Sequence, residues 1–203
     1  MKIPNSQSGM TYIELIVVFT IFSVLTGVSL YSYHSFQDRV DMKALANDIA
    51  LKAVQAQKDA SFGRTLLSAP AGWKPSYGLF FAPTANNKAF IYFSDLNQEQ
   101  IYTTGFAGTL NCVPGVDTEC IEKINITKGN TISEIRVFFL GDSVGTVHNN
   151  GFHMSFTRPG LEPTVAGIGP FLFNVDYTQI KIVSPKGAIA YIKIYSSGRI
   201  QIN

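Results

Sequence analysis

The sequence predicts an α+β fold. A long N-terminal α-helix, membrane-spanning in its first half and amphipathic in its second, is expected to pack on a C-terminal antiparallel β domain. Three observations predict it. Ile13 to Tyr33 is an apolar run of 21 residues, about 31 Å as a helix, which matches the hydrocarbon core of a bilayer. Met42, Leu45, Ile49, Ala53, Ala56 and Ala60 then recur at three- and four-residue steps, which places them on one helical face. Beyond Gly63 the chain turns to aromatic and β-branched segments punctuated by Pro and Gly.

A chain of 203 residues has room for one globular domain beyond that helix. Charged residues make up 15% and aromatics 12% of the chain, a balance that suits a β-rich body and argues against disorder. The formal charge is only +2, and loss of Met1–Gly9 with its Lys2 would bring it closer to neutral. Such a chain has no electrostatic mandate to bind nucleic acid or acidic substrates.

The first nine residues, MKIPNSQSG, are polar and end in glycine. The run beyond them carries Ile13, Leu15, Phe19, Phe22, Leu25 and Leu30 as its transmembrane face, and one carboxylate, Glu14. Three readings compete. A secretory signal would use Gly27-Val28-Ser29 as its small-residue cleavage site, but Lys2 is the sole basic residue and Glu14 sits at the edge of the apolar core. A plain membrane anchor leaves Glu14 unexplained, because a carboxylate in the bilayer costs about 3 kcal/mol. The third reading joins the leader, the glycine, the glutamate and the apolar run.

On those residues the segment resembles the type IV pilin and pseudopilin family. MKIPNSQSG looks like a prepilin leader, and MTYIELIVV looks like the start of a mature chain with Glu14 at its fifth position. Met10 stands where Phe is commoner, and Tyr12 where Leu is usual. The resemblance implies that a prepilin peptidase cuts between Gly9 and Met10 and often methylates the new N-terminus. The Met10 α-ammonium would titrate near about pH 8. Glu14 would offset that charge within its own subunit or on the subunit below, and pairing would favour one axial register of packed stems. Glu14 is then an assembly residue. A carboxylate that merely snorkels to the interface is the plainer alternative. The expected partners are the peptidase, other pilins or pseudopilins in a helical filament, and the membrane. The expected location is the cytoplasmic (inner) membrane, single-pass, with the C-terminal domain periplasmic or extracellular, before incorporation into a pilus or pseudopilus.

Gly27 lowers helix propensity inside the span. Many pilins have a proline a few residues further on, where this chain has Tyr31. Local pliability and close packing against a neighbour both remain open for Gly27. The helix is expected to run to Phe62 and stop at Gly63, with Asp38, Arg39, Asp41, Lys43, Asp48, Lys52 and Lys58 largely off the apolar stripe. Its second half should pack on the β domain in a lollipop shape. The resulting division is 1–9 leader, 10–62 stem with a transmembrane part at about 13–33, and 63–203 β-rich domain.

Strands are expected at Tyr77–Phe81, Ala89–Ser94, Glu134–Leu140 and Phe152–Phe156. The clearest hairpin joins Gln179–Val183 to Ala188–Tyr195 through Ser184-Pro185-Lys186-Gly187, and Ser196-Ser197-Gly198 turns into Arg199–Ile202. Alternation puts Ile192 and Ile194 on one side and Tyr191, Lys193 and Tyr195 on the other. YGLFF, FTRPG (Phe156–Gly160) and SSGRI (Ser196–Ile200) resemble the GspH/FimT-type minor pseudopilins, so the fold is expected to be pilin-like. Cys112 and Cys120 have seven residues between them, too many for a CxxC redox pair or a zinc knuckle. In an exported domain they read as a disulfide, with two unpaired thiols as the alternative.

No catalytic, metal or phosphate motif is present, so neither enzymatic activity nor a cofactor is expected. His34, His148 and His153 form no ligand pair and read as surface or turn residues. Gly141, Gly145 and Gly151 read as β-turns, and Asp95, Asp117, Glu119 and Glu122 read as solvated loop carboxylates. The Asn125-Ile126-Thr127 sequon carries no weight.

One binding reading stands beside assembly, because some relatives of the resembled subfamily act in DNA uptake. Lys181, Lys193 and Arg199, with Lys186 nearby and Tyr191 and Tyr195 as stacking surfaces, could hold nucleic acid. Lysines that protect a sheet edge are the plainer account. A membrane-anchored extracellular binding domain that never polymerises is the third functional class.

Overall fold

A computed structural model of the chain describes residues 9–66, 68–103, 110–114, 118–160, 162–168 and 171–203, without the side chains of Tyr31, Ser32, His34 and Ser35. The leader residues Met1–Ser8, the His34 side chain and Asp117 therefore lie outside the described residues. One α-helix, α1, spans Tyr12–Ser61, and the chain divides into two compact units, 1–40 and 41–203. The fold is α+β, with α1 and two antiparallel sheets.

In the first unit, Tyr12–Leu30 is long and apolar enough to cross a membrane, and all its side chains are exposed. Two of its hydroxyls are satisfied within the helix. Thr20 donates to the Ile16 carbonyl and Thr26 to the Phe22 carbonyl, both at 2.8 Å. That closure leaves two fewer unsatisfied groups to bury in an apolar medium. Nothing within the chain comes within 4 Å of a Cβ built on Gly27.

In the second unit, Met42, Leu45, Ala46, Ile49, Ala53, Ala56 and Ala60 are buried, and the alanines let the helix backbone approach the body closely. The helix ends one residue before the expected Phe62. Gly63, at φ +68°, allows a Schellman closure in which Arg64 N–H bonds the Asp59 carbonyl and Gly63 N–H bonds the Ala60 carbonyl. Three ties fix this part of the helix to the body: Asp41 pairs with Lys128, Lys52 with Glu122 at 2.6 Å, and Asp59 accepts both Arg64 (2.8 Å) and the Tyr92 hydroxyl (2.6 Å).

The first sheet is formed by β1 (Ser76–Phe81), β2 (Ala89–Ser94), β3 (Cys120–Asn125), β6 (Phe152–Thr157), β7 (Pro163–Gly167) and β8 (Phe171–Leu172), in the order β3-β2-β1-β6-β7-β8. The second is formed by β4 (Thr131–Phe139), β5 (Thr146–Val147), β9 (Val175–Val183), β10 (Ile189–Tyr195) and β11 (Ile200–Ile202), in the order β11-β10-β9-β4-β5. All pairings are antiparallel. The 184–187 turn forms as the sequence requires: Gly187, at φ +84°, donates to the Ser184 carbonyl, and the Ser184 hydroxyl accepts the Ala188 N–H.

Period-two alternation divides the aromatic strands between two cores. Tyr77, Leu79, Phe81, Phe90 and Tyr92 join the α1 stripe and the inner face of the second sheet, including Ile135, Ile180 and Ile192. Phe80, Ile91 and Phe93 point the other way, into a smaller core closed by Tyr102, Leu110 and Cys120. Residues 95–103 and 110–112 thus lie over the outer face of β1 and β2 as a strap. This explains why both strands are buried at every position.

Gly78 is explained by close approach. A Cβ there would meet the Met154 carbonyl oxygen at 2.3 Å and the Phe93 ring at 2.7 Å. Neither the backbone nor a packed ring can give way cheaply. Gly78→Ala should therefore destabilise the body by about 2 kcal/mol, lowering its thermal midpoint by about 4–8 °C. Calorimetry on the detergent-solubilised full chain measures it.

Candidate functional site

Three places in the structure hold the residues singled out in the sequence. The first is the helix start. Gly9 and Met10 are exposed and precede α1, and Glu14 lies in its first turn, where a carboxylate complements the helix dipole. Ile13, Leu15, Phe19, Phe22, Leu25 and Leu30 are all exposed along the same helix. Among the described residues Glu14 has no ion pair.

The second is the outer face of the second sheet. Register sets Tyr195 opposite Tyr177 and Tyr177 opposite Phe138, Lys193 opposite Gln179, and Tyr191 opposite Lys181. Tyr177 is the hub: its ring centroid is 4.4 Å from Phe138 in a stacked pair and 5.5 Å from Tyr195. Lys193 Nζ lies 4.8 Å from the Tyr177 centroid, and the Arg199 guanidinium lies 4.0 Å from that of Tyr195. Each such cation–π contact contributes about 0.5–1 kcal/mol. Lys181, Lys193 and Arg199 make no ion pair among the described residues, whereas Arg136 on the same face is paired with Glu134 at 2.7 Å. The face is therefore cationic, but Arg199 already occupies one surface of Tyr195. Tyr177 and Phe138 carry no such signal in the sequence. Strand pairing alone reveals them, because Tyr177 lies two residues before the segment that reads as a strand.

The third place is the strap and its feet, and here four sequence expectations are corrected. Asp95 and Glu119 are buried, not solvated, and His153 is fully buried in β6, not on the surface. Asp95 ends β2 by accepting the N–H groups of Glu99 (3.0 Å) and Gln100 (2.9 Å), a local cap that replaces water. That cap holds Gln98 and Gln100 in the left-handed region, at φ 63° and 59°. Glu119 accepts the Thr103 N–H at 2.9 Å. Burial raises the pKa of both carboxyls, against the opposing pull of these hydrogen bonds. Glu122 is likewise no loop residue: it lies in β3, where it meets Lys52.

His153 Nδ1 accepts the Tyr102 N–H at 3.0 Å, and the ring packs on Phe80 with centroids 4.5 Å apart. Its Nε2 has no partner among the described residues, which costs about 1–3 kcal/mol for a buried polar group. Burial pushes its pKa down to about 4. Burial also lowers that of His148, which is partly buried just after β5. Tyr102 itself is wedged between Phe80 and Phe93 at 5.6 and 5.5 Å, and its hydroxyl donates to the Asn111 carbonyl. Cys112 and Cys120 form a disulfide that ties the returning limb of the strap to the start of β3. Among the described residues no group of His, Cys, Asp and Glu could hold a metal ion.

No family model, no curated protein and no solved structure matches the chain.

The Cys112–Cys120 bond spans eight positions. Removing it by Cys112→Ser with Cys120→Ser should cost about 2–3 kcal/mol by the loop-closure relation. Thermal melts of the double variant and of the reduced wild type should coincide, both below the oxidised protein.

Proposed function

We propose that the chain is a minor pilin or pseudopilin, a non-enzymatic subunit that assembles into a type IV pilus or type II secretion pseudopilus through its N-terminal helix. One observation carries the reading. Glu14 is the sole charged group in the exposed apolar stretch Tyr12–Leu30, and it sits five positions after Gly9. Cleavage there creates an α-ammonium on Met10, and that charge and the Glu14 carboxylate are each costly to leave alone in an apolar environment. The stem residues 10–40 supply the polymer contacts. The body 41–203 supplies a surface at a filament tip or in an initiation complex, outside the cytoplasm, where a disulfide persists. Partners on this reading are a prepilin peptidase, other pilins or pseudopilins, and the membrane before extraction.

Co-expression with a prepilin peptidase tests it. Mass spectrometry should find a mature chain that starts at Met10. Glu14→Ala should insert in the membrane as before yet fall at least about tenfold in the sheared filament fraction, as loss of more than about 1.4 kcal/mol of pairing requires. An uncut chain favours the membrane-anchored binding domain that never polymerises.

A second reading rests on the cationic outer face of the second sheet, where Lys181, Lys193 and Arg199 make no ion pairs among the described residues. It makes the body a nucleic-acid-binding module of an uptake pilus. Three cations neutralise few phosphates, so binding would be weak and would fall steeply with salt. The full chain in detergent should retard single-stranded DNA at low salt, and Lys181→Ala with Lys193→Ala should abolish the shift. No retardation at high micromolar protein removes this reading.

A further inference from the structure

Residues 95–103 of the strap are held on the first sheet by polar ties that surround one buried base. Asp95 accepts the Glu99 and Gln100 N–H groups, the Ser155 hydroxyl donates to the Gln100 carbonyl, and Glu119 accepts the Thr103 N–H. Between them Tyr102, fully buried, places its N–H on His153 Nδ1. A neutral imidazole that accepts at Nδ1 carries its proton on Nε2. The tie therefore exists in one protonation state only.

We propose that His153 is a proton-sensitive catch for the strap: while neutral it holds Tyr102 down, and protonation of Nδ1 releases residues 95–103 and uncovers the apolar outer face of β1 and β2. A protonated Nδ1 and the Tyr102 N–H are both donors, and at 3.0 Å two donors cannot share one contact. The buried Nε2–H already lacks an acceptor, so the charged ring would gain no partner on that side either. Release would expose Phe80, Ile91 and Phe93, which the strap now buries.

The sign is set by burial. The pKa of His153 in the closed strap is lowered from 6.5 to about 4, so closure is fully favoured above about pH 6.5 and lost as pH falls towards 4. Across that window the closing equilibrium weakens by about 100-fold. The groups that face His153 across the sheet, Phe80 on β1 and Ala166 on β7, are uncharged. The strap brings Tyr102 against it and Asp95 and Glu119 to its feet, and Lys123 on β3 donates to the Leu110 carbonyl. Asp95 and Glu119 have raised pKa values, so their protonation favours closure and opposes the histidine. They do so equally in any His153 variant. The Cys112–Cys120 bond does not open in this step, and it limits release to the segment before it.

Trp73, the one tryptophan, reads the strap directly, because its Nε1–H donates to the Asp95 carbonyl at 2.7 Å. The full chain in detergent is titrated from pH 7 to pH 4, following tryptophan emission, binding of an apolar dye, and exchange of the Tyr102 amide. His153→Gln keeps an acceptor for Tyr102 and does not titrate. The wild type should gain dye binding and shift its emission on acidification with its far-ultraviolet circular dichroism unchanged, and Tyr102 exchange should accelerate by about 100-fold more than in the variant. Identical pH profiles for the two proteins overturn the proposal. Should His153→Gln fold poorly, the wild type alone decides it: His153 is titrated by nuclear magnetic resonance beside the Tyr102 amide. A ring that becomes protonated while that amide stays protected is equally fatal.

Discussion

The first sheet has no wet face at its centre, and much of the body is a response to that. A strand buried on both sides must be apolar at every position, and YGLFF and AFIYFS meet that demand by giving alternate residues to two different cores. One core needs a helix, which α1 provides from Met42 to Ala60 with a stripe rich in alanine. The other needs a cover, which the chain makes from the connection between β2 and β3. That connection runs across apolar surface, so its backbone polar groups must find partners away from water. Asp95, Glu119, His153 and Ser155 are those partners, and they explain why titratable groups lie inside this body.

The same constraint explains where the sequence is legible and where it is not. The apolar run, the alanine stripe, the continuous hydrophobic strands and the Ser184–Gly187 turn are local signals, and each names its element directly. The strand Ala89–Ser94 forms with the expected bounds, and Gln179–Val183 lies within a strand that begins four residues earlier, at Val175. β3, CIEKIN, lies at a sheet edge, where only Cys120 is buried, and its mixed composition hides it. β5 and β8, of two residues each, are made by their partners and not by propensity. Asp95 and Glu119 mislead for a related reason. A carboxylate that caps its own turn looks in sequence like one that faces solvent, and only the cover above it decides the difference. The pairing of Cys112 with Cys120, by contrast, is legible from their spacing once an exported setting is assumed.

The N-terminal unit obeys a different rule. Nothing in the second unit's logic accounts for a helix whose side chains from Tyr12 to Leu30 are all exposed and almost all apolar. Its threonines Thr20 and Thr26 close their hydrogen bonds on the helix backbone, and among the described residues its lone carboxylate makes no ion pair.

The three ties between α1 and the body have a mechanical consequence. Asp41, Lys52 and Asp59 are spread along about 27 Å of helix, and each reaches a different segment: the β3–β4 loop, β3, and β2. A load applied along this part of the helix is shared by all three at once, in shear, with the buried alanine stripe between them. None can be unzipped before the next. A segment anchored in this way can be hauled by its axis and bring the whole body with it, whereas the same bonds clustered at one end would peel away in turn.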